Sequence, residues 1–193
     1  MMKLQHKWDE IYRSSPQQAE ACEVLRNHRH LLPKQGKALD LACGLGGNAL
    51  LLAERGLRVE AWDISTVALA QLREQAAIRR LPIDAKQGNI ASDSLANHSF
   101  DVIVISRFLD RSLCNAIMEA LNPEGLLFYQ TFTRNKLDKE GPGNPEYLLE
   151  RNELLRMFSP LSLVYYQENA RIGDLRLGNR NEAYYIGQKI NPV

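Results

Sequence analysis

The chain has 193 residues, 45% hydrophobic and 24% charged, with 24 Lys plus Arg against 23 Asp plus Glu. That balance is globular: long enough for one well-buried α/β core, too short for two ordinary domains, and unlike a mainly disordered or fibrous chain. A net charge of +1 supplies no field for a nucleic acid, which disfavours that partner, and three widely spaced cysteines (Cys22, Cys43, Cys114) fit neither a disulfide framework nor a zinc site.

The opening M-M-K-L-Q-H-K-W-D-E has no apolar signal segment, and no window approaches the ~18 apolar residues that span a bilayer. The expectation is a cytoplasmic, soluble protein. H-K-W-D-E-I-Y-R is predicted as a short helix with Trp8, Ile11 and Tyr12 on one side. A second helix is predicted over Gln17 to Leu32, where Ala19, Cys22, Val24, Leu25, His28, Leu31 and Leu32 recur at helical spacing before Pro33.

From Lys37 the pattern alternates. Strand K-A-L-D-L runs into a glycine turn and the helix N-A-L-L-L-A-E-R, which Gly56 ends. Strand L-R-V-E-A-W-D follows, then Ser65 or Thr66 caps a long helix that reaches Arg80 and stops before Pro82. A short strand is predicted around D-A-K-Q-G, then strand F-D-V-I-V-I-S, a helix near Asp110 to Leu121, and strand G-L-L-F-Y-Q-T-F after the turn N-P-E-G. Strands alternating with helices imply a doubly wound, mostly parallel sheet. R-N-K-L-D-K-E-G-P-G-N-P-E-Y reads as a loop and R-N-E-L-L-R-M-F as a helix. L-S-L-V-Y-Y-Q-E and N-E-A-Y-Y-I-G-Q-K have no helix between them, so an antiparallel hairpin joins them. The expected organisation is one α/β domain over 1–193 with about seven strands: a helical flap (1–33), a cofactor-binding core (37–132), and a loop, helix and C-terminal hairpin (133–193).

Three ligands compete for the turn D-L-A-C-G-L-G-G-N. A nucleoside-triphosphate loop needs G-K-[ST], and no Lys follows the glycines. A nicotinamide dinucleotide loop needs G-x-G-x-x-G/A, which Gly44, Gly46 and Ala49 satisfy, with Asp63 about 20 residues on as a ribose partner. Asp40 separates the remaining two. A carboxylate at the tip of the first strand would oppose a pyrophosphate, whereas S-adenosylmethionine has no phosphate and brings an ammonium and a sulfonium. Asp63 serves the ribose of either ligand, or would otherwise be a helix N-terminal carboxylate beside Ser65.

With these motifs together the chain resembles the class I S-adenosylmethionine-dependent methyltransferases from about Lys37 to Lys189. L-D-L-A-C-G-L-G-G is similar to their first motif, V-E-A-W-D-I-S to their second-strand acid, K-Q-G-N-I to their adenine contact, F-D-V-I-V-I to their fourth strand and L-N-P-E-G-L-L-F-Y-Q-T-F to their fifth. The closing hairpin fits their antiparallel seventh strand. The resemblance implies S-adenosylmethionine as cofactor. It implies contacts from Asp40, Ala42, Gly44, Gly46 and Asn48 in the turn, Asp63 and Ile64 after the second strand, Asn89 and Ile90 after the third, and Ser106 after the fourth. The chain departs from the pattern twice: Ala42 stands where a glycine is usual, and Asn89 where Asp is common, keeping an amide that can pair with adenine.

The cofactor supplies an activated methyl group, so the protein aligns donor and acceptor, and no catalytic side chain is required unless the acceptor arrives protonated. Ser106, Arg107 and Phe108 replace the N/D/S-P-P-aromatic motif of base and amide methylases, which loses support for those acceptors. Trp8 and Tyr12, one helical turn apart, either dock the flap or close over the methyl donor. Arg107, Arg134, Arg171, Arg176 and Arg180 lie in or beside loops expected at the cleft, and Arg107 with Arg176 or Arg180 is expected to converge on an anionic acceptor. The layout of short W-x-x-x-Y helix, compact core and arginine-bearing hairpin resembles the small tellurite-resistance and thiopurine-type methyltransferases, which implies a small soft or anionic acceptor such as a chalcogen oxyanion or thiol. No metal spacing is visible, and a monomer or homodimer is expected. Two alternatives stay open: a non-catalytic S-adenosylmethionine-binding module, and a NAD(P)-dependent oxidoreductase, for which no Tyr/Lys pair stands out.

Overall fold

A computed structural model describes residues 2–14 and 20–190. Seven strands form one sheet: β1 (Lys37–Leu41), β2 (Arg58–Asp63), β3 (Ile83–Gln87), β4 (Phe100–Ser106), β5 (Leu121–Phe132), β6 (Ser162–Gln167) and β7 (Glu182–Gln188), in spatial order β3-β2-β1-β4-β5-β7-β6. β1 to β5 pair in parallel, and β7 pairs antiparallel with both β5 and β6, so the C-terminal hairpin forms as the sequence predicts. The chain winds outward from β1 to β3 and returns to lay β4 on the other side of β1. The strand order reverses between β1 and β4, and in open sheets of this kind ligands bind beyond the carboxyl ends of the strands at that switch point.

Among the described residues six α-helices accompany the sheet: α1 (Met2–Arg13), α2 (Glu23–Asn27), α3 (Gly47–Glu54), α4 (Thr66–Arg79), α5 (Cys114–Glu119) and α6 (Glu153–Met157). Because side chains alternate along a strand, Ala38, Val102, Val104 and Phe128 face Val24, Leu25, Leu52 and Leu72, whereas Leu39, Leu41, Ile103 and Ile105 share the other face with Ile117, Leu154 and Phe158. Ser65 caps α4 as expected, its Oγ accepting from Ala68 N at 3.2 Å, and Gly56 turns the chain after α3 at φ +96°.

Three elements differ from the expectation. The helix over Gln17–Leu32 shrinks to α2 and a 3-10 turn at Arg29–Leu31, with Gln17 to Ala19 lying outside the described residues. At its start, Cys22 N donates to Asn48 Oδ1 (2.8 Å) and Val24 N to Gln130 Oε1 (2.9 Å), so distant side chains supply the acceptors an earlier helical turn would have offered. The helix near Asp110–Leu121 becomes a 3-10 turn at Arg111–Leu113 followed by α5, because Asp110 accepts from Ser112 N and holds the chain in the tighter turn. The N-P-E-G turn is absorbed into β5: Phe100 pairs with Leu121 and Val102 with Leu126, leaving Asn122 to Gly125 as a bulge with Glu124 at φ +64°. Among the described residues no helix is long and apolar enough to cross a membrane.

Candidate functional site

The end of β1 is built on two buried carboxylates. Asp40 lies fully buried, with Oδ1 accepting from Asn48 Nδ2 (3.2 Å) and Oδ2 from Ala49 N (3.0 Å), so it anchors the first turn of α3. Burial pushes its carboxyl up to about 7 against the pull of those two donors, and the charge of Asp63 pushes the same way. Asp63 accepts from Gly44 N through Oδ2 and from Ser65 N through Oδ1, both at 2.8 Å, stitching the glycine turn to the start of α4. Its carboxyl is also raised, chiefly by burial.

Between the two, the turn carries Ala42 at φ +56°, Gly44 at +52° and Gly46 at +79°. Ala42 therefore stands in the left-handed region that favours glycine, tolerated because its side chain is one carbon. A Cβ on Gly46 would fall on Leu72 Cδ1 of α4. Gly88 N donates to the Asp63 carbonyl at 3.0 Å, which brings exposed Asn89 beside Asp63 and Ile64, while Ile90 packs at the edge of the core. Asn48 is a knot: Nδ2 also donates to Ser106 Oγ (3.0 Å), and Oδ1 accepts from Cys22 N. The expected cofactor residues thus assemble at one end of the sheet, but Asp40 and Asn48 act from beneath the turn, their polar atoms engaged with each other, α3, β4 and the approach to α2.

The N-terminal helix reaches this place. Tyr12 lies so close over Gly44 that a Cβ there would stand 2.7 Å from its hydroxyl, and its ring stacks with Trp8 at 5.8 Å. Burial, then the charges of Asp63, Cys43 and Asp40, push the Tyr12 hydroxyl well up.

The carboxyl ends of β4, β5 and the start of β7 form a second cluster, most of which sequence reasoning missed. Arg107 follows β4 at φ +54°, donates from Nε to Glu182 Oε1 (2.9 Å), approaches Glu140 at 3.6 Å and lies 5.5 Å over the Phe132 ring. Glu182, its side chain 1% exposed, also accepts from Gln130 Nε2 (2.6 Å) and Asn179 Nδ2 (2.9 Å). Two signals were available: a Gln inside the apolar run L-L-F-Y-Q-T-F, and a Glu opening the strand E-A-Y-Y-I-G. Phe108 turns against the core below α5.

The expected convergence of arginines is not found. Arg134 pairs with Glu150 at 2.9 Å. Arg176, its side chain 88% exposed, grips Asp174 with Nε and Nη2. Arg180 donates to the carbonyls of Leu177, Ile172 and Asp174, knitting the β6–β7 loop to itself, and Arg171 is exposed on that loop. Each of Arg134, Arg176 and Arg180 has a local acceptor, which leaves Arg107 as the basic residue set against buried polar groups at the sheet.

With the geometry in place, comparisons agree on the type of domain. Residues 38–125 match the family described as "Methyltransferase domain". A 107-residue stretch is 33% identical to a ubiquinone biosynthesis O-methyltransferase of Idiomarina loihiensis, covering 51% of this chain and 43% of that protein, so the match spans less than half of that relative's length. TehB from Haemophilus influenzae superposes with a TM-score of 0.70 at 24% identity, over 96% of this chain and 66% of TehB. An S-adenosylmethionine-dependent methyltransferase from Methanosarcina mazei superposes at 0.66 with 20% identity, over 90% of this chain and all of that one.

Proposed function

We propose that the chain is a class I S-adenosylmethionine-dependent methyltransferase that transfers the methyl group of S-adenosylmethionine to a small-molecule acceptor that is anionic or soft. The cofactor's sulfonium supplies an already activated methyl group. The residues present fit that cofactor. Gly44 N and Ser65 N leave lone pairs on Asp63, which offers about four, so a ribose diol can still donate to it. Asp40 and Asp63 set two carboxyl groups, both raised by burial, beneath and beside the glycine turn, where the ammonium and sulfonium of the cofactor would favour their charged forms, and the segment Leu41–Asn48 has no basic residue for a phosphate. Tyr12 and Trp8 would close the cleft against water, Asn89 would meet the adenine edge, and the flap, core and hairpin would serve this one site as a single domain.

The observation that carries the acceptor reading is Arg107. Glu182 fixes it by Nε, Glu140 approaches Nη2 at 3.6 Å, Phe132 lies under the guanidinium, and its side chain is 59% exposed, so a charged acceptor could meet the guanidinium in place of Glu140. Glu182, already taken by Arg107, Gln130 and Asn179, has little capacity left to act as a base, which favours an acceptor that arrives with its lone pair free, such as a thiolate, a chalcogen oxyanion or a carboxylate-bearing nucleophile. The match to an O-methyltransferase favours a second reading, in which the acceptor atom is an oxygen such as a hydroxyl.

The test has two stages. Calorimetry with S-adenosylhomocysteine should show binding, and a folded sample that fails to bind at millimolar ligand sinks the reading. A screen with tellurite, selenite, thiols, small carboxylates and a catechol, detecting S-adenosylhomocysteine as product, then separates the acceptor classes; binding without turnover across the panel would favour a non-catalytic module.

A further inference from the structure

Asp9 is buried, although it sits on α1 between half-buried Trp8 and exposed Glu10. Its Oδ1 accepts from Ser65 Oγ (2.6 Å) and Val67 N (3.2 Å), both oxygens reach Thr66 Oγ1 at 3.5 and 3.4 Å, and Gln5 Nε2 supports Oδ2 at 3.5 Å. Ser65 to Val67 are the cap and first turn of α4, two residues beyond the ribose candidate Asp63. The Ser65 bond, ahead of the cost of burial, holds the Asp9 carboxyl below its usual range. A negative charge at that helix end is favourable, yet Ser65 already caps α4 through Ala68 N, so capping alone does not require a carboxylate 56 residues away.

What Asp9 adds is position. One turn further along α1, Tyr12 rests on Gly44, and Gly44 is tied through Asp63 to Ser65. The contacts close a ring, Gly44 to Asp63 to Ser65 to Asp9 and along α1 through Tyr12 back to Gly44, of which the ribose candidate Asp63 is a member. We propose that Asp9 is a latch: a positioning residue that locks α1 onto the start of α4, holds Tyr12 across the cofactor cleft and thereby sets how fast the cofactor leaves. This rests on the reading that the cleft holds S-adenosylmethionine.

The test is stopped-flow release of S-adenosylhomocysteine from wild type, Asp9→Ala and, as a control on the same helix, Glu10→Ala, with hydrogen exchange of the α1 peptide measured in the bound state. Asp9→Ala should release the ligand roughly tenfold faster, with faster exchange in α1, through loss of charge-assisted hydrogen bonds. Glu10→Ala should match wild type. A purely structural role would lower the folded fraction without changing release from folded molecules. If Asp9→Ala does not fold, Asp9→Asn keeps one acceptor oxygen and should still accelerate release about threefold. Release and α1 exchange unchanged in a folded variant overturn the latch; a wild type that binds no S-adenosylhomocysteine overturns the cofactor reading instead.

Discussion

The two sides of the switch point are built differently. At the ends of β1 and β2, carboxylates bind backbone: Asp40 takes Ala49 N nine residues away, and Asp63 takes Gly44 N and Ser65 N nineteen and two residues away. At the ends of β4, β5 and β7, side chains bind side chains across long stretches, with Arg107 to Glu182 spanning 75 residues and Gln130 to Glu182 spanning 52. A backbone-built site constrains conformation more than side-chain identity, so the donor end tolerates an Ala at Ala42 yet needs its glycine turn. A side-chain-built site depends on which residues meet, so at the end proposed to hold the acceptor a substitution changes which groups a ligand meets and which partners hold β4, β5 and β7 together.

The largest effect expected from testing this contrast is at Gly46. Gly46→Ala places a Cβ on Leu72 at φ +79°, combining crowding of about 1–3 kcal/mol with a left-handed penalty of about 1–2 kcal/mol. Denaturant unfolding should show a loss within their sum, and a loss below ~1 kcal/mol would mean that the α3–α4 contact gives way easily.

Second is a pH effect on the same end. The Asp40 carboxyl is raised from 3.8 to about 7 in the fold, so the folded state binds its proton more tightly than the unfolded chain. The contribution is therefore fully present below about pH 3.8 and is lost as pH rises through about 7, on the order of a few kcal/mol across the window. Asp63 is shifted in the same direction, so the slope belonging to Asp40 is the difference between wild type and Asp40→Asn. That difference should fall from pH 4 to pH 7 and then level; a flat difference would place the proton elsewhere.

Third, the two ends should separate in binding. Asp63→Ala should weaken S-adenosylhomocysteine by ~1–3 kcal/mol, whereas Glu182→Ala should leave that affinity unchanged. Glu182→Ala should instead lower the melting temperature, because Arg107 and Gln130 lose their shared acceptor, and raise the KM of whichever acceptor the screen identifies. Loss of cofactor affinity in Glu182→Ala would join the two ends into one site.

The same contrast explains what the sequence could reveal. The glycine turn between Asp40 and the following helix was legible because it falls at a fixed place in a strand–turn–helix unit, and the hairpin was legible because no helix separates its strands. The shortened α2 was not, since its end is set by Asn48 and Gln130, 26 and 106 residues away. Nor was Asp9, which reads as a polar position on a surface helix until Ser65 meets it. The arginines misled because charge in a loop reads the same whether its partner is a ligand or, as for Arg180, three carbonyls of its own loop.

The smallest expected effect is also the cleanest test of the backbone-built end. Ala42→Gly removes one methyl from a residue at φ +56° and relieves the left-handed strain of ~1–2 kcal/mol that an L side chain carries there. Glycine also gains freedom in the unfolded chain, which cancels about 0.5–1 kcal/mol of that relief. A net stabilisation of roughly 0.5–1 kcal/mol follows, seen as a melting temperature higher by about 1–4 °C for a chain of this length. If the turn binds its ligand through backbone geometry that the methyl does not alter, affinity for S-adenosylhomocysteine should stay within about twofold, because the variant removes strain and no hydrogen-bonding group. A large gain in affinity would instead make the methyl an obstacle in the cleft, so that a side chain as well as the backbone shapes the donor end.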